Sequence, residues 1–152
     1  MPAYFAKTYG ALSEGADSIV SIHLPTRVSG TYNAALQGIE IAKPKCEVHV
    51  VDSFSVSVGL GIIAIAAARV AKAGGKLAEI LEEANKAISQ TQIRALLDTL
   101  HYLLKGGRIT KTKALVGTLL NVKPILTMRE GGLVQAGMAR SYAKPEFYSA
   151  QS

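Results

Sequence analysis

Two short apolar runs with a helical pattern between them constrain this chain more than any other feature. SIVSIHL (18–24) and CEVHVV (46–51) are rich in β-branched residues, and TYNAALQGIEIA opens a helical pattern over about 31–43. A strand, a helix and a second strand in that order close as a right-handed crossover, which lays the two strands parallel. The same rhythm continues outward. PAYFAKTYGAL reads as a helix on the spacing of Tyr4, Phe5, Thr8, Tyr9 and Leu12. A small-residue helix runs from Ser57 to about Ala73, where Gly74-Gly75 stops it. KLAEILEEANKAISQ (76–90) is amphipathic, with Leu77, Ile80, Leu81, Ala84 and Ile88 on one side.

Beyond residue 92 the segments shorten. IRALLD (93–98) reads as a strand, TLHYLL (99–104) as a helix ended by Gly106-Gly107, and ALVGTLL (114–120) as another short helix. VKPILTM (122–128) and LVQAGMA (133–139), joined through Glu-Gly-Gly, read as a hairpin. The pattern predicts an α/β fold with a largely parallel sheet flanked by helices. The composition shift near 98–108 is the candidate boundary, giving 1–97 and 98–152 as two parts.

With 152 residues, 49% hydrophobic and 18% charged, the chain suits a compact globular fold, not disorder. Its start, MPAYFAKTYGA, lacks the pattern of a signal peptide. The most apolar run, VSVGLGIIAIAAA (56–68), is too short to span a bilayer and is closed by Arg69 and Lys72, so no membrane insertion is expected. The single cysteine, Cys46, permits no intramolecular disulfide and fits a reducing, cytoplasmic setting as a buried thiol. Charge is uneven. Residues 1–100 hold nine Lys/Arg against nine Asp/Glu, while 101–152 hold eight against Glu130 and Glu146. The whole +6 therefore lies in the last third, with KGGRITKTK (105–113) its densest part. Such a run suits an acidic partner, a phosphate or a nucleic acid, or simply a solvated face.

In parallel α/β sheets, ligands sit beyond the carboxyl ends of the strands, where loops 25–31 and 52–57 fall. The first carries Ser29, Gly30 and Thr31 at the start of a helix. Unpaired N–H groups and the helix dipole favour an anion there, and Gly30 lets it approach the backbone. The alternative is that Ser29 or Thr31 only caps the helix, the stronger reading of the triplet by itself. In the second loop Asp52 and Ser53 end a strand, and Ser57 is placed to cap the next helix. Gly59, Gly61 and Ala64 leave one helix face nearly bare, for a packed neighbour or for something long and apolar. This is not a dinucleotide fingerprint, because the third glycine of G-x-G-x-x-G is missing.

Catalytic patterns are thin. His23, His49 and His101 have no metal-ligand spacing with Cys46 or with paired carboxylates, and His23 and His49 suit packing roles in strands. Neither a Walker motif nor a G-x-S-x-G elbow is present. Ser29 with Asp52 lacks a positioned base. No cofactor and no catalysis by this chain alone are expected.

SIVSIHLPTRVSGTYNAA, VVDSFSVSVGLG, DTLHYLLKGGRIT and LLNVKPILTMREGGLV follow one another in register. In that order and spacing the chain resembles the DegV family, from about residue 5 to residue 140. The family includes the fatty-acid-binding subunits of bacterial fatty acid kinases. The resemblance implies a two-domain α/β protein, here with part of the second α/β domain, that buries one long-chain fatty acid between its domains. It implies that Ser29, in the Ser29-Gly30-Thr31 motif, takes the fatty-acid carboxylate; the bare face of Gly59, Gly61 and Ala64 is then expected to line the acyl chain. It also implies that the chain does not catalyse but presents the carboxylate to a separate ATP-dependent fatty acid kinase subunit. Lys105, Gly107 and Arg108 fall where that partner would dock.

Family members are nearly twice this length. Their opening strand with Asp-Ser-Thr, their Thr-Ser-x-Pro-Ser segment and the end of their second domain have no counterpart. A threonine and a histidine that would share the carboxylate are thus missing, and none of His23, His49 or His101 replaces the latter. Pro25 stands where the family loop is rich in serine, and fixes φ there. A truncated chain of this kind would expose a sheet edge and apolar surface, so a homodimer is expected. The alternatives are a ligand-free fragment, or an anion-binding α/β protein that docks a protein or nucleic-acid partner through 105–113. A nucleic-acid partner is disfavoured because the basic run has neither interleaved aromatics nor a base-reading motif.

Overall fold

The computed structural model describes residues 1–109, 123–140 and 145–147, so the helix expected over 114–120 lies outside the described residues. The chain separates into two compact units, Met1–Thr91 and Gln92–Ser152. This division precedes the composition shift near residue 98. The strand that follows it, β3 (Arg94–Leu96), pairs antiparallel with β4 (Lys123–Arg129) of the second unit.

In the first unit α1 (Pro2–Leu12) starts with Pro2 in the first turn, where a missing N–H costs no helical bond. β1 (Ser18–His23) and β2 (Glu47–Asp52) run parallel, from Ser18 opposite Glu47 to His23 opposite Asp52. Ser53 N–H donates to His23 C=O at 3.0 Å and extends the pairing one residue beyond the strands. The crossover between them is α2 (Thr31–Ala42), closed by Lys43 in the left-handed conformation (φ 46°) just ahead of Pro44. α3 (Ser57–Lys72) and α4 (Leu77–Gln90) complete the unit, and the helices flank the parallel pair. Glu79 reaches back to the N–H of Lys76 (2.6 Å), satisfying a donor at the start of α4.

Small residues set the spacing of these helices. Ala6 and Tyr9 of α1 are buried, as are Ala34, Ala35 and Gly38 of α2. A Cβ added at Gly38 would lie 2.5 Å from Phe5 Cβ and 3.1 Å from the Ala6 backbone nitrogen, so glycine permits this approach. Gly59, Ile63 and Ala67 of α3 and Ala84 and Ala87 of α4 are the buried residues of the second helix pair. Between α1 and β1, Tyr9 Oη and Ser21 Oγ lie 2.7 Å apart, and Ser21 Oγ lies 2.7 Å from His23 Nε2. The Phe5 ring meets His23 edge-on.

Two local expectations are corrected. Cys46 is only half-buried, because the chain bends there and β2 begins one residue later. Ser57 does not cap α3: Val56 holds the cap position, and Ser57 is the first helical residue, with φ 52°.

The second unit holds a four-stranded antiparallel sheet in the order β3-β4-β5-β6, with β5 Gly132–Ala139 and β6 Pro145–Phe147. Among the described residues, parallel pairing is thus confined to the first unit. The expected hairpin is β4 and β5, turned through Glu130 (φ 47°) and Gly131 (φ 72°), both left-handed as a two-residue hairpin turn requires. Such a short connection can join only antiparallel strands. A register shift at Ile125/Leu126 places Gly137 opposite Ile125 and Gln135 opposite Leu126. Leu100, Ile109 and Leu126 form the core of this unit, with Leu97, Leu103, Leu104 and Leu133 packed against them.

Candidate functional site

Both motif-bearing loops of the first unit leave the carboxyl ends of β1 and β2. In the first, buried Pro25 accepts the N–H groups of Val28 and Ser29 on its carbonyl, each at 3.0 Å, so residues 25–29 wind into a single turn. Ser29 stands at the end of that turn. Its Oγ lies 3.1 Å from Thr31 Oγ1 and accepts the N–H of Thr31 at 3.3 Å. Gly30 is the cap residue of α2 at φ −78°, a conformation any residue adopts, and a Cβ there would meet nothing within 4 Å. Glycine is therefore not needed for the backbone here; it leaves the approach open. The first helical bond is Ala34 N–H to Gly30 C=O (2.9 Å), so the N–H groups of Tyr32 and Asn33 precede the ladder. Two hydroxyls in contact with each other and a helix start flank one open backbone position, a setting suited to an anion.

Capping and anion binding need not compete. Ser29 engages a single N–H, that of the first helical residue, and with one hydroxyl donating to the other the pair keeps lone pairs and one proton for a further partner.

The second loop is held by Asp52. Its Oδ1 accepts the N–H of Phe54 at 2.8 Å, and its Oδ2 accepts the N–H of Thr26, in the first loop, at 3.2 Å. Ser53 is buried, donates to Ser55 C=O at 3.0 Å and accepts the Ser55 N–H at 3.2 Å. Neither oxygen of Asp52 bonds Ser29, so no activated-serine pair forms. The backbone is strained on both sides of Ser55: Phe54 has φ 50° and Ser57 φ 52°.

The small residues of α3 divide. Gly59 is buried, and a Cβ there would lie 2.2 Å from Ser55 Oγ and 3.4 Å from Thr91 Cγ2, so this glycine makes room for Ser55 and not for a slot. Gly61 has nothing within 4 Å of such a Cβ, and Ala64 is half-buried. Gly61 lies on the helical face of Val58, Ile62 and Ile65, which are 69%, 56% and 54% exposed. Phe54, also exposed, stands ahead of the same helix. Sequence periodicity gives no signal for this stripe, because exposed and buried isoleucines look alike.

In the second unit, Lys105, Gly107 and Arg108 close α5 (His101–Lys105). Gly107 has φ 71°, its N–H donates to Leu104 C=O (3.2 Å), and Arg108 N–H donates to Leu103 C=O (3.0 Å). This is a glycine-dependent helix stop. The Arg108 guanidinium folds back onto Gly106 C=O at 2.6 Å, while Lys105 remains exposed. The rest of the basic run, 110–113, lies outside the described residues. His23 is committed to Ser21, and burial pushes its pKa down. His49 Nε2 comes within 2.7 Å of Glu47 Oε1 but makes no hydrogen bond with it, and His101 stacks edge-on with Tyr102. Among the described residues no three His, Cys, Asp or Glu side chains converge as a metal site would require.

A sequence model described as "Uncharacterised protein, DegV family" matches residues 1–145. The chain belongs to the DegV family. Among curated relatives, a DegV domain-containing protein of Streptomyces coelicolor is 42% identical over 135 residues, 88% of this chain and 47% of its own length. One from Staphylococcus aureus is 36% identical over 137 residues, 90% of this chain and 48% of its own. The chain thus spans about half the length of the curated relatives it matches. Solved DegV structures agree with the fold. A Thermus thermophilus DegV family protein, described for its fatty acid binding, superposes with a TM-score of 0.82 at 35% identity, over 92% of this chain and 49% of that one. A Ruminococcus gnavus DegV protein holding vaccenic acid gives 0.83 at 29% identity, over 93% and 51%. Like them, this chain has the DegV α/β fold. No helix among the described residues is long and apolar enough to cross a membrane.

Proposed function

We propose that this DegV chain is a non-catalytic fatty-acid-binding protein whose anion site is the Ser29-Gly30-Thr31 turn. The observation that carries the reading is the contact of Ser29 Oγ with Thr31 Oγ1 at the start of α2, on either side of the open backbone of Gly30. The Thermus and Ruminococcus relatives, described with fatty acids, supply the chemistry of the anion: a carboxylate at the end of an apolar chain. The acyl chain runs along α3, against Gly61, Ala64 and the exposed Val58, Ile62 and Ile65. Each methylene buried there contributes about 0.8 kcal/mol, so tight binding needs the chain enclosed and not merely laid on a helix.

Enclosure is the reason to propose a homodimer. Among the described residues β1 and β2 pair only with each other, and α3 shows an apolar stripe to solvent. The segment around Lys105, Gly107 and Arg108 is proposed to dock a fatty acid kinase subunit, in the cytoplasm, with the carboxylate handed over there and no chemistry performed by this chain. The exposed Lys105 and Tyr102 support that role, since exposed aromatics beside cations are frequent anchors of protein contacts.

Ser29→Ala tests the anion site. A hydrogen bond to a charged group is worth about 1.5–3 kcal/mol, so fatty-acid affinity falls roughly ten- to a hundredfold while the fold is kept. Titration calorimetry that found unchanged affinity would remove Ser29 from the site. A folded chain that binds no fatty acid would instead favour a ligand-free role.

A further inference from the structure

We propose that Asp52 is a positioning residue for the carboxylate turn, and that it sets the head-group preference of the site through its grip on Thr26. The inference rests on the fatty-acid reading above. Asp52 is the last residue of β2, opposite His23 in the parallel register. One of its oxygens holds the N–H of Phe54, two residues along its own loop. The other holds the N–H of Thr26, which belongs to the loop leaving β1. A single carboxylate therefore spans both loops at the end of the sheet.

What it holds at Thr26 is the entry of the turn whose exit is Ser29. Pro25 C=O takes the N–H groups of Val28 and Ser29, so the internal bonds of that turn leave Thr26 N–H free for an outside acceptor, and Asp52 supplies it. The turn is fixed at its base by buried Pro25, at its first N–H by Asp52, and at its end by the Ser29–Thr31 contact. On the other side, Asp52 secures Phe54 in a left-handed conformation that a bulky residue rarely adopts. An amide at position 52 offers a single acceptor oxygen where the carboxylate offers two, so Asp52→Asn must give up one of the two bonds or weaken both. The carboxylate itself points at backbone N–H groups, so its charge is engaged there while Ser29 and Thr31 face the ligand.

The geometry predicts a selective effect. When Thr26 is released, the turn that ends at Ser29 loses the anchor at its first N–H, so Ser29 and Thr31 are held less firmly where they meet the anion, and the group that suffers is the one they recognise. The test measures binding of oleic acid and of oleyl alcohol to the full chain and to Asp52→Asn and Asp52→Glu, by displacement of a fluorescent fatty-acid probe. Wild type prefers the acid. In Asp52→Asn that preference falls about tenfold, the scale of one charge-assisted hydrogen bond, with alcohol binding nearly unchanged. Asp52→Glu, which restores two carboxylate oxygens, recovers part of the preference. A general loosening of the fold would weaken acid and alcohol alike. If Asp52→Asn keeps the wild-type acid-to-alcohol ratio, whatever its absolute affinity, the assignment of Asp52 is overturned while the fatty-acid reading stands. If wild type binds neither ligand, the fatty-acid reading fails and takes this inference with it.

Discussion

His23 shows how one side chain can make a small unit sensitive to pH. It is half-buried against the edge of Phe5, and burial without a compensating charge holds its pKa below the ordinary 6.5. With His23 neutral, Tyr9 O–H can donate to Ser21, and Ser21 O–H to His23 Nε2. Protonation turns Nε2 into a donor, so Ser21 Oγ must accept from it, and the Ser21 hydroxyl proton loses the acceptor it had in the neutral ring. A histidine whose folded pKa is depressed stabilises the fold fully above its unfolded pKa. That contribution is lost as pH falls from about 6.5 through the folded value. Thermal unfolding should therefore show the first unit weakening on the acid side of neutrality, and His23→Gln should flatten that dependence; an unchanged slope would show that His23 does not carry it. The roles of these side chains were only partly legible in the sequence. His23 was readable as a packed strand histidine, but its link to Tyr9 crosses from helix to strand and has no local signature. Asp52 likewise stood beside a serine in sequence while its bonds go to Thr26 and Phe54.

At the scale of elements, glycines with the same letter do different work. Gly38→Ala would push a Cβ against Phe5 and the Ala6 backbone where α1 and α2 meet, and backbone cannot swing aside. Overpacking of this kind costs about 1–3 kcal/mol, read as a lower denaturation midpoint. Gly10, on α1, has nothing within 4 Å of an added Cβ, so Gly10→Ala should stabilise by roughly 0.5–1 kcal/mol through helix propensity. Equal effects of the two substitutions would contradict the packing described for α1 and α2. The helices were legible because their apolar spacing is regular and Gly74-Gly75 ends the run of α3. The hairpin was legible from Glu130-Gly131. The sheet partners of β3 were not, because Arg94–Leu96 is three residues long and its partner strand lies far along the chain. Nor was Gly59 separable from Gly61, since only the fold puts Ser55 beneath one and open space beside the other.

For the whole molecule, the DegV fold is shared with proteins about twice as long, and the first unit carries the consequence. A parallel sheet is ordinarily covered on both faces, yet every residue of β1 is only half-buried and Val58, Ile62 and Ile65 stand in solvent. Four motifs in register made the family legible, while no motif within this chain describes what covers these exposed surfaces. If a second copy provides cover, sedimentation should find a dimer at micromolar concentration, and Ile62→Asp, at a site 56% exposed, should yield a folded monomer. A wild-type chain that sediments as a monomer would contradict the homodimer.

Whether the Ser29 turn holds a fatty acid is decided by native mass spectrometry of the purified chain, followed by organic extraction. A co-purifying fatty acid is expected, near one per chain or per dimer, and is expected to be lost or depleted in Ser29→Ala. A folded protein that carries no lipid and takes up none when fatty acid is added would contradict it.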